Sequence, residues 1–262
     1  IRSKITILYQ KSEDGKVIDF CEKLAFKEVI ELDKKWFNLG HGFNLLNIPH
    51  TDGDSWLCVQ AGNKTILNIN DCVIENQLQA KTIKSLIGSK NIDLLFTQFS
   101  YANWIGNKED KETMRKHAQN KIDQIEYQIE VFKPKYTIPF ASFVWFSHEE
   151  NFYMNQEINR IDQIESFISD KLPTKPIIMF PNDNWIIGDD YDNTSSIKKW
   201  VNSYESNISL SNTIKANYIK EEDLIENGIK FIENLKRDNT FWMSFFLKPV
   251  SYTHLRAHET RH

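Results

Sequence analysis

The order of apolar and polar positions gives this chain strands first and alternating strands and helices afterwards. KITILY (4–9) is β-branched and apolar, and FNLLNI (43–48), SWLCVQA (55–61) and KTILNIN (64–70) follow in the same style. Gly62 and Asn63 supply turn chemistry between the last two runs, which predicts a hairpin and, with the earlier runs, a meander of roughly four strands. KVIDFCEKLAF (16–26) interrupts them with Val17, Phe20 and Leu24 at helical spacing. From residue 76 the pattern changes. A helix over NQLQAKTIKSLIG, with Gly88 as its C-cap, leads into the buried-looking strand IDLLFTQ (92–98). A long helix follows within KETMRKHAQNKIDQIEYQIEVFKPK (111–135), with Met114, Ala118, Ile122, Ile125, Ile129 and Phe132 on one stripe and Pro134 as its stop. YTIPF (136–140) and KPIIMF (175–180) read as further strands on either side of the amphipathic INRIDQIESFISDKL (158–172). Beyond Asn182 the sequence is polar, and EEDLIENGIKFIENLKRD (221–238) alone recovers a helical stripe. An antiparallel meander followed by strand–helix alternation predicts an α/β sandwich with helices on the outer faces.

Charge and composition narrow the function. A net charge of -4 and lysines scattered among acids give no basic field for nucleic acid. No apolar run approaches a membrane span. Three cysteines, without CxxC spacing, suit a reducing compartment, so the expected location is cytoplasmic. No glycine-rich phosphate loop or nucleophile elbow is present.

The termini carry expectations of their own. Ile1 runs almost directly into a strand, which reads as an opening inside a domain. PVSYTHLRAHETRH (249–262) resembles the translation of a sequencing-library adapter, and it holds three of the seven histidines. His254, His258 and His262 are therefore set aside from site reasoning. The expected organisation is one domain over 1–185, an accessory segment over 186–248 and a non-native tail over 249–262.

Three segments in order carry a resemblance. TILNINDC (65–72), IDLLFTQFSYANWIGN (92–107) and KYTIPFASFVWFSHEENFY (135–153) are similar to the metallo-β-lactamase-type portion of CMP-N-acetylneuraminate and amino-sugar hydroxylases. DSWLCVQAGNKTILNINDC (54–72) also resembles the second half of a metallo-β-lactamase-fold domain. The resemblance implies an αββα sandwich whose first half is missing, since the His-x-His-x-Asp-His ligand motif of that fold occurs nowhere in the sequence. It implies Asp71 as a metal-bridging carboxylate and His50 as a metal histidine, holding a divalent metal, zinc first, with iron or manganese as the other candidates. The residue-level alternative is that Asp71 caps the following helix and His50 sits in a plain loop.

Where hydrolases of this fold place a last histidine directly after the strand, Ala141 and Ser142 stand here. His148, beside Glu149 and Glu150 after an aromatic run that could wall a pocket, is the substitute candidate for acid–base work; the alternative is a helix start capped by Ser147. Ser100, Asn103 and Trp104 follow a buried strand and are candidate substrate contacts, as is Asp183. His117 reads as a boundary or surface residue of the long helix.

The function implied is a metal-dependent hydrolase acting on an ester, amide or phosphodiester of a small molecule, with sugar- or nucleotide-linked molecules among the candidates. The alternatives are the substrate-binding half of an oxygenase whose iron–sulfur module lies elsewhere, and a metal-free scaffold.

Overall fold

The computed structural model describes residues 1–11, 14–50, 53–209 and 219–238. They belong to two compact units, Ile1–Ile214 and Lys215–His262. The second contains helix α6 (Glu221–Asp238), where the sequence places it. The adapter-like tail over 249–262 lies outside the described residues.

The first unit is an α/β fold built on a seven-stranded sheet in sequential order β3 to β9. Its strands are β3 (Phe37–Gly40), β4 (Phe43–Pro49), β5 (Ser55–Ala61), β6 (Lys64–Asn68), β7 (Leu94–Gln98), β8 (Tyr136–Ala141) and the short β9 (Lys175–Pro176). Strands β3 to β6 pair antiparallel, and β6 to β9 pair parallel. Ala61 pairs with Lys64 across the Gly62–Asn63 turn, and Gly62 takes φ +59 there. A positive φ at the first central position costs glycine little, so this residue suits the turn and fixes the hairpin register.

One expectation is corrected. The run KITILY gives β1 (Thr6–Gln10), which does not join the meander. It pairs parallel with β2 (Glu28–Leu32) in a separate two-stranded sheet, connected through helix α1 (Lys16–Lys23). A parallel pair needs a crossover, and the helical run at 16–23 supplies one.

Each parallel step in the large sheet is made by a helix: α2 (Gln77–Ile87), α3 (Lys111–Phe132) and α4 (Ile161–Lys171). Strands added in one direction by crossovers of one hand place all their helices on one face. The core agrees. Leu46, Cys58, Leu67 and Leu95, neighbours in register across β4 to β7, share one buried cluster with Ile83, Ile125, Ile129, Ile164 and Ile168. Cys58, Leu67 and Leu95 are fully buried. Helix α5 (Thr194–Ser209), which the polar text around it hides, adds Tyr204 to that cluster and packs Ile197 and Trp200 against it. On the opposite face, Leu94, Tyr136, Ile138 and Ile177 are covered by Trp185, Ile187 and Tyr191. The segment Asn182–Tyr191 is thus a cover over β7 to β9.

A candidate small-molecule cavity at the ends of the parallel strands

Parallel strands β6 and β7 end at the same edge, and the segments leaving them face helix α3 across a cavity of about 710 Å³. Asp71, Val73 and Glu75 line it from the segment after β6; Gln98, Tyr101, Ala102, Asn103 and Ile105 line it from the end of β7 onward. Helix α3 contributes His117, Asn120, Lys121, Asp123, Gln124 and Tyr127. Clefts outside the carboxyl ends of parallel strands are where open α/β sheets bind ligands, and the volume lies in the range of small-molecule sites.

Asp71 is presented by a tight turn. Asn70 adopts φ +54, a conformation asparagine tolerates, and its N–H donates to Asn68 Oδ1 at 2.9 Å. The Asn70 side-chain amide donates to Asp71 Oδ1 at 2.5 Å. Helix α2 is capped elsewhere: Asn76 Oδ1 accepts from the N–H groups of Leu78 and Gln79, both at 3.0 Å. The reading of Asp71 as that helix's cap is therefore set aside.

His50, at the end of β4, reaches the same edge. Its Nε2 lies 2.8 Å from the carbonyl oxygen of Val73, which can only accept, so Nε2 is the donor in this contact. Both candidate metal residues thus belong to segments tied together at one rim.

Lys121 stands opposite Asp71. Its Nζ donates to Gln98 Oε1 at 2.5 Å, and Gln98 Nε2 donates to Ser142 Oγ at 2.8 Å. Burial lowers the proton affinity of the Lys121 amine, and the negative charge of Asp71 opposes that shift. Below it, Thr97 Oγ1 donates to Gln128 Oε1 at 2.6 Å inside the core, which fixes α3 against β7. Further along the helix the Tyr127 hydroxyl is buried and has no hydrogen-bond partner among the described residues. Burial, then the charges of Glu75 and Asp123, push its ionisation upward, so it keeps its proton.

The remaining sequence candidates are distributed differently. Asn103 lines the cavity. Ser100 is buried, and its Oγ accepts from the Asn159 N–H at 3.1 Å, a structural use. Trp104 is about half exposed (49%) on the loop after β7. His148 Nδ1 accepts from the Glu150 N–H at 3.3 Å, with Glu150 Oε2 at 3.7 Å, and the residue is outside the cavity lining.

The aromatic run before His148 does not wall the cavity as expected. Phe143 stacks on Trp200 of α5 at 3.8 Å and meets Phe99 edge-on at 4.8 Å, while Trp145 lies 6.1 Å from Tyr204. The aromatic face of α5 needed covering, and this run covers it.

Asp183 belongs to another place. Its Oδ2 accepts from Ser196 Oγ at 2.5 Å and the Phe180 N–H at 2.8 Å, and its Oδ1 accepts from Lys199 Nζ at 2.9 Å. The hydroxyl, the ammonium and the amide hold this carboxylate well below the usual range. It fastens the Phe180–Tyr191 cover to α5.

Sequence reasoning missed Gln98, Lys121 and Tyr127, and read His117 as a surface or boundary residue. On α3 alone His117, Lys121 and Tyr127 form a polar stripe of the kind solvent usually meets. The signal lay in two places at once: a glutamine ending an apolar strand, and a tyrosine within that stripe.

No protein-family model and no curated protein matches the chain. Among solved structures it resembles a point mutant of the β-hydroxylase CmlA, with a TM-score of 0.45 and 14% identity over 66% of this chain. CmlA itself, a diiron β-hydroxylase from Streptomyces venezuelae, gives 0.37 and 12% over 81% of this chain. A protein from Parabacteroides distasonis provisionally named a metal-dependent hydrolase gives 0.33 and 11% over 66% of this chain and 74% of that one. The chain spans 38% of the length of each CmlA chain. Resemblance at this level transfers no ligand, substrate or reaction. No described helix is long and apolar enough to cross a membrane.

Proposed function

We propose that this chain forms the substrate-cavity side of a metal-dependent hydrolase of the metallo-β-lactamase type, acting on a small molecule. The observation that carries the reading is the position of Asp71: it ends the β6 segment, opens onto the cavity, and lies on the rim that His50 reaches through Val73. Asn70 holds Asp71 Oδ1 and the Val73 carbonyl holds His50 Nε2, so the atoms this reading assigns to a metal are Asp71 Oδ2 and His50 Nδ1. A catalytic divalent ion takes about three or more protein donors. Among the described residues no three His, Cys, Asp or Glu side chains come together. The described residues therefore fit part of such a centre and not the whole of it. What they do themselves is bind and orient: Asn103, Gln98 and Lys121 present polar groups to a ligand, and Tyr101 and Ile105 give it apolar wall.

The test is a Co²⁺ titration of the purified chain by visible absorption, with p-nitrophenyl acetate and bis(p-nitrophenyl) phosphate as turnover probes. Asp71→Asn and His50→Ala are each expected to weaken Co²⁺ binding by roughly tenfold or more. Equal binding by wild type and Asp71→Asn would overturn the metal-dependent reading and leave a metal-free binding site. Chelator-sensitive release of nitrophenol supports the hydrolytic class. Asp71-dependent binding without any release favours the oxygenase class instead.

A further inference from the structure

Helix α3 carries two stripes. Met114, Ala118, Ile125, Ile129 and Phe132 are buried in the apolar interior, while His117, Lys121, Gln124 and Tyr127 face the cavity. Lys121 is set apart on that second stripe. Its ammonium has three donors, and the side-chain acceptor it meets is the neutral Gln98 Oε1. Gln98 cannot turn away, because its amide nitrogen is committed to Ser142 Oγ. Asp71 acts on the ammonium through its field, and no described carboxylate pairs with it at ion-pair distance. A partly desolvated cation without a contacting counter-ion is costly, and an anionic ligand group removes the cost.

The other end of the stripe has the opposite character. The buried Tyr127 hydroxyl lacks a partner among the described residues, and the charges that act on it are the carboxylates of Glu75 and Asp123. Lys121 and Tyr127 are six helical positions apart, about 9 Å along the axis. Asp71, Glu75 and Asp123 against Lys121 leave the cavity lining acidic overall, which disfavours a dianion such as phosphate. A ligand with one anionic and one cationic end satisfies both halves.

We infer that the cavity binds a zwitterionic small molecule, its carboxylate on Lys121 and its ammonium beside Tyr127, Glu75 and Asp123. This names the substrate class of the cavity and rests on reading that cavity as the substrate site.

Isothermal titration of the purified chain in the presence of EDTA tests it, with 6-aminohexanoate, hexanoate, hexylamine and inorganic phosphate as probes. The zwitterion is expected to bind at least roughly tenfold tighter than hexanoate or hexylamine. Lys121→Gln should weaken 6-aminohexanoate and hexanoate by about tenfold and leave hexylamine unchanged, and Lys121→Arg should restore most of the loss. Glu75→Gln combined with Asp123→Asn should weaken the two amines and not hexanoate. A circular-dichroism melt of each variant establishes that it is folded. Unchanged binding of 6-aminohexanoate by folded Lys121→Gln overturns the inference, as does phosphate binding tighter than the zwitterion. The chelator separates this result from the hydrolase reading. Lys121-dependent binding without metal-dependent turnover keeps the inference and removes that reading, and metal-dependent turnover without zwitterion binding does the reverse.

Discussion

The imidazole of His50 and the carbonyl of Val73 meet at 2.8 Å across 23 positions of sequence. The bond ties the end of β4 to the segment that carries Asp71, and it selects one neutral tautomer. Nitrogen-15 spectra of the imidazoles at pH 8 should show His50 with its proton on Nε2. A proton on Nδ1 would leave two acceptors facing each other and would rule the bond out. His50→Ala should cost about 1 kcal/mol and speed hydrogen exchange in the 71–75 segment.

Helix α2 depends on Asn76 and not on Asp71. Asn76 Oδ1 satisfies two of the helix's first N–H groups, so Asn76→Ala should cost about 1 kcal/mol, or about 2–4 °C in the melting temperature. Asp71→Ala should leave the helix intact by far-ultraviolet circular dichroism. The reverse ranking of the two variants would restore Asp71 to the capping role.

The strand–helix alternation from 64 to 171 was legible because each element is periodic and long enough to bury a face. Elements with weak or interrupted patterns were not. EVIEL is short and exposes both glutamates, so β2 carries little signal. KPIIMF reads as a six-residue strand, yet β9 pairs over Lys175–Pro176 alone. Asn193 Oδ1 accepts the Ile178 N–H at 2.8 Å and takes that donor out of the ladder, though Ile177 and Ile178 remain fully buried. Asp71 and His50 were singled out through resemblance of the strands around them. Lys121 and Tyr127 were not, because a polar stripe on an amphipathic helix looks solvated until the loops after β6 and β7 are seen to close over it.

The buried thiols should be inert. Burial raises both Cys58 and Cys72 to about 12, the latter with help from the charges of Asp54 and Asp71. At pH 8 their thiolate fraction is on the order of 10⁻⁴. Ellman's reagent should therefore label Cys21, which is partly exposed, and reach Cys58 and Cys72 only in denaturant. Rapid modification of three thiols in the native chain would contradict the placement of β5 and of the turn after β6.

Asp183 sets the last expectation, a dependence of stability on pH. Its folded-state carboxylate is held below the ordinary range by Ser196, Lys199 and the Phe180 amide, in that order with Ser196 first. Because the folded form binds the proton less tightly than the unfolded chain, the stabilisation is complete above the ordinary carboxylate value of about 4 and is lost as pH falls from there through the lower folded value. Asp183→Asn removes the charge, keeps the shape, and turns an amide toward donors. It should cost roughly 2 kcal/mol at pH 7, about 4–8 °C at this chain length. The cost should stay constant above the ordinary carboxylate value of about 4 and shrink progressively as pH falls below it toward the lower folded value, so the melting curves of wild type and variant draw together in acid. Its fluorescence should also report the change, because the segment Asp183 fastens carries Trp185, whose ring meets Tyr136 at 4.9 Å. A gap between the two proteins that stays constant from pH 7 to pH 3 would show that the loss came from packing and not from the carboxylate's charge.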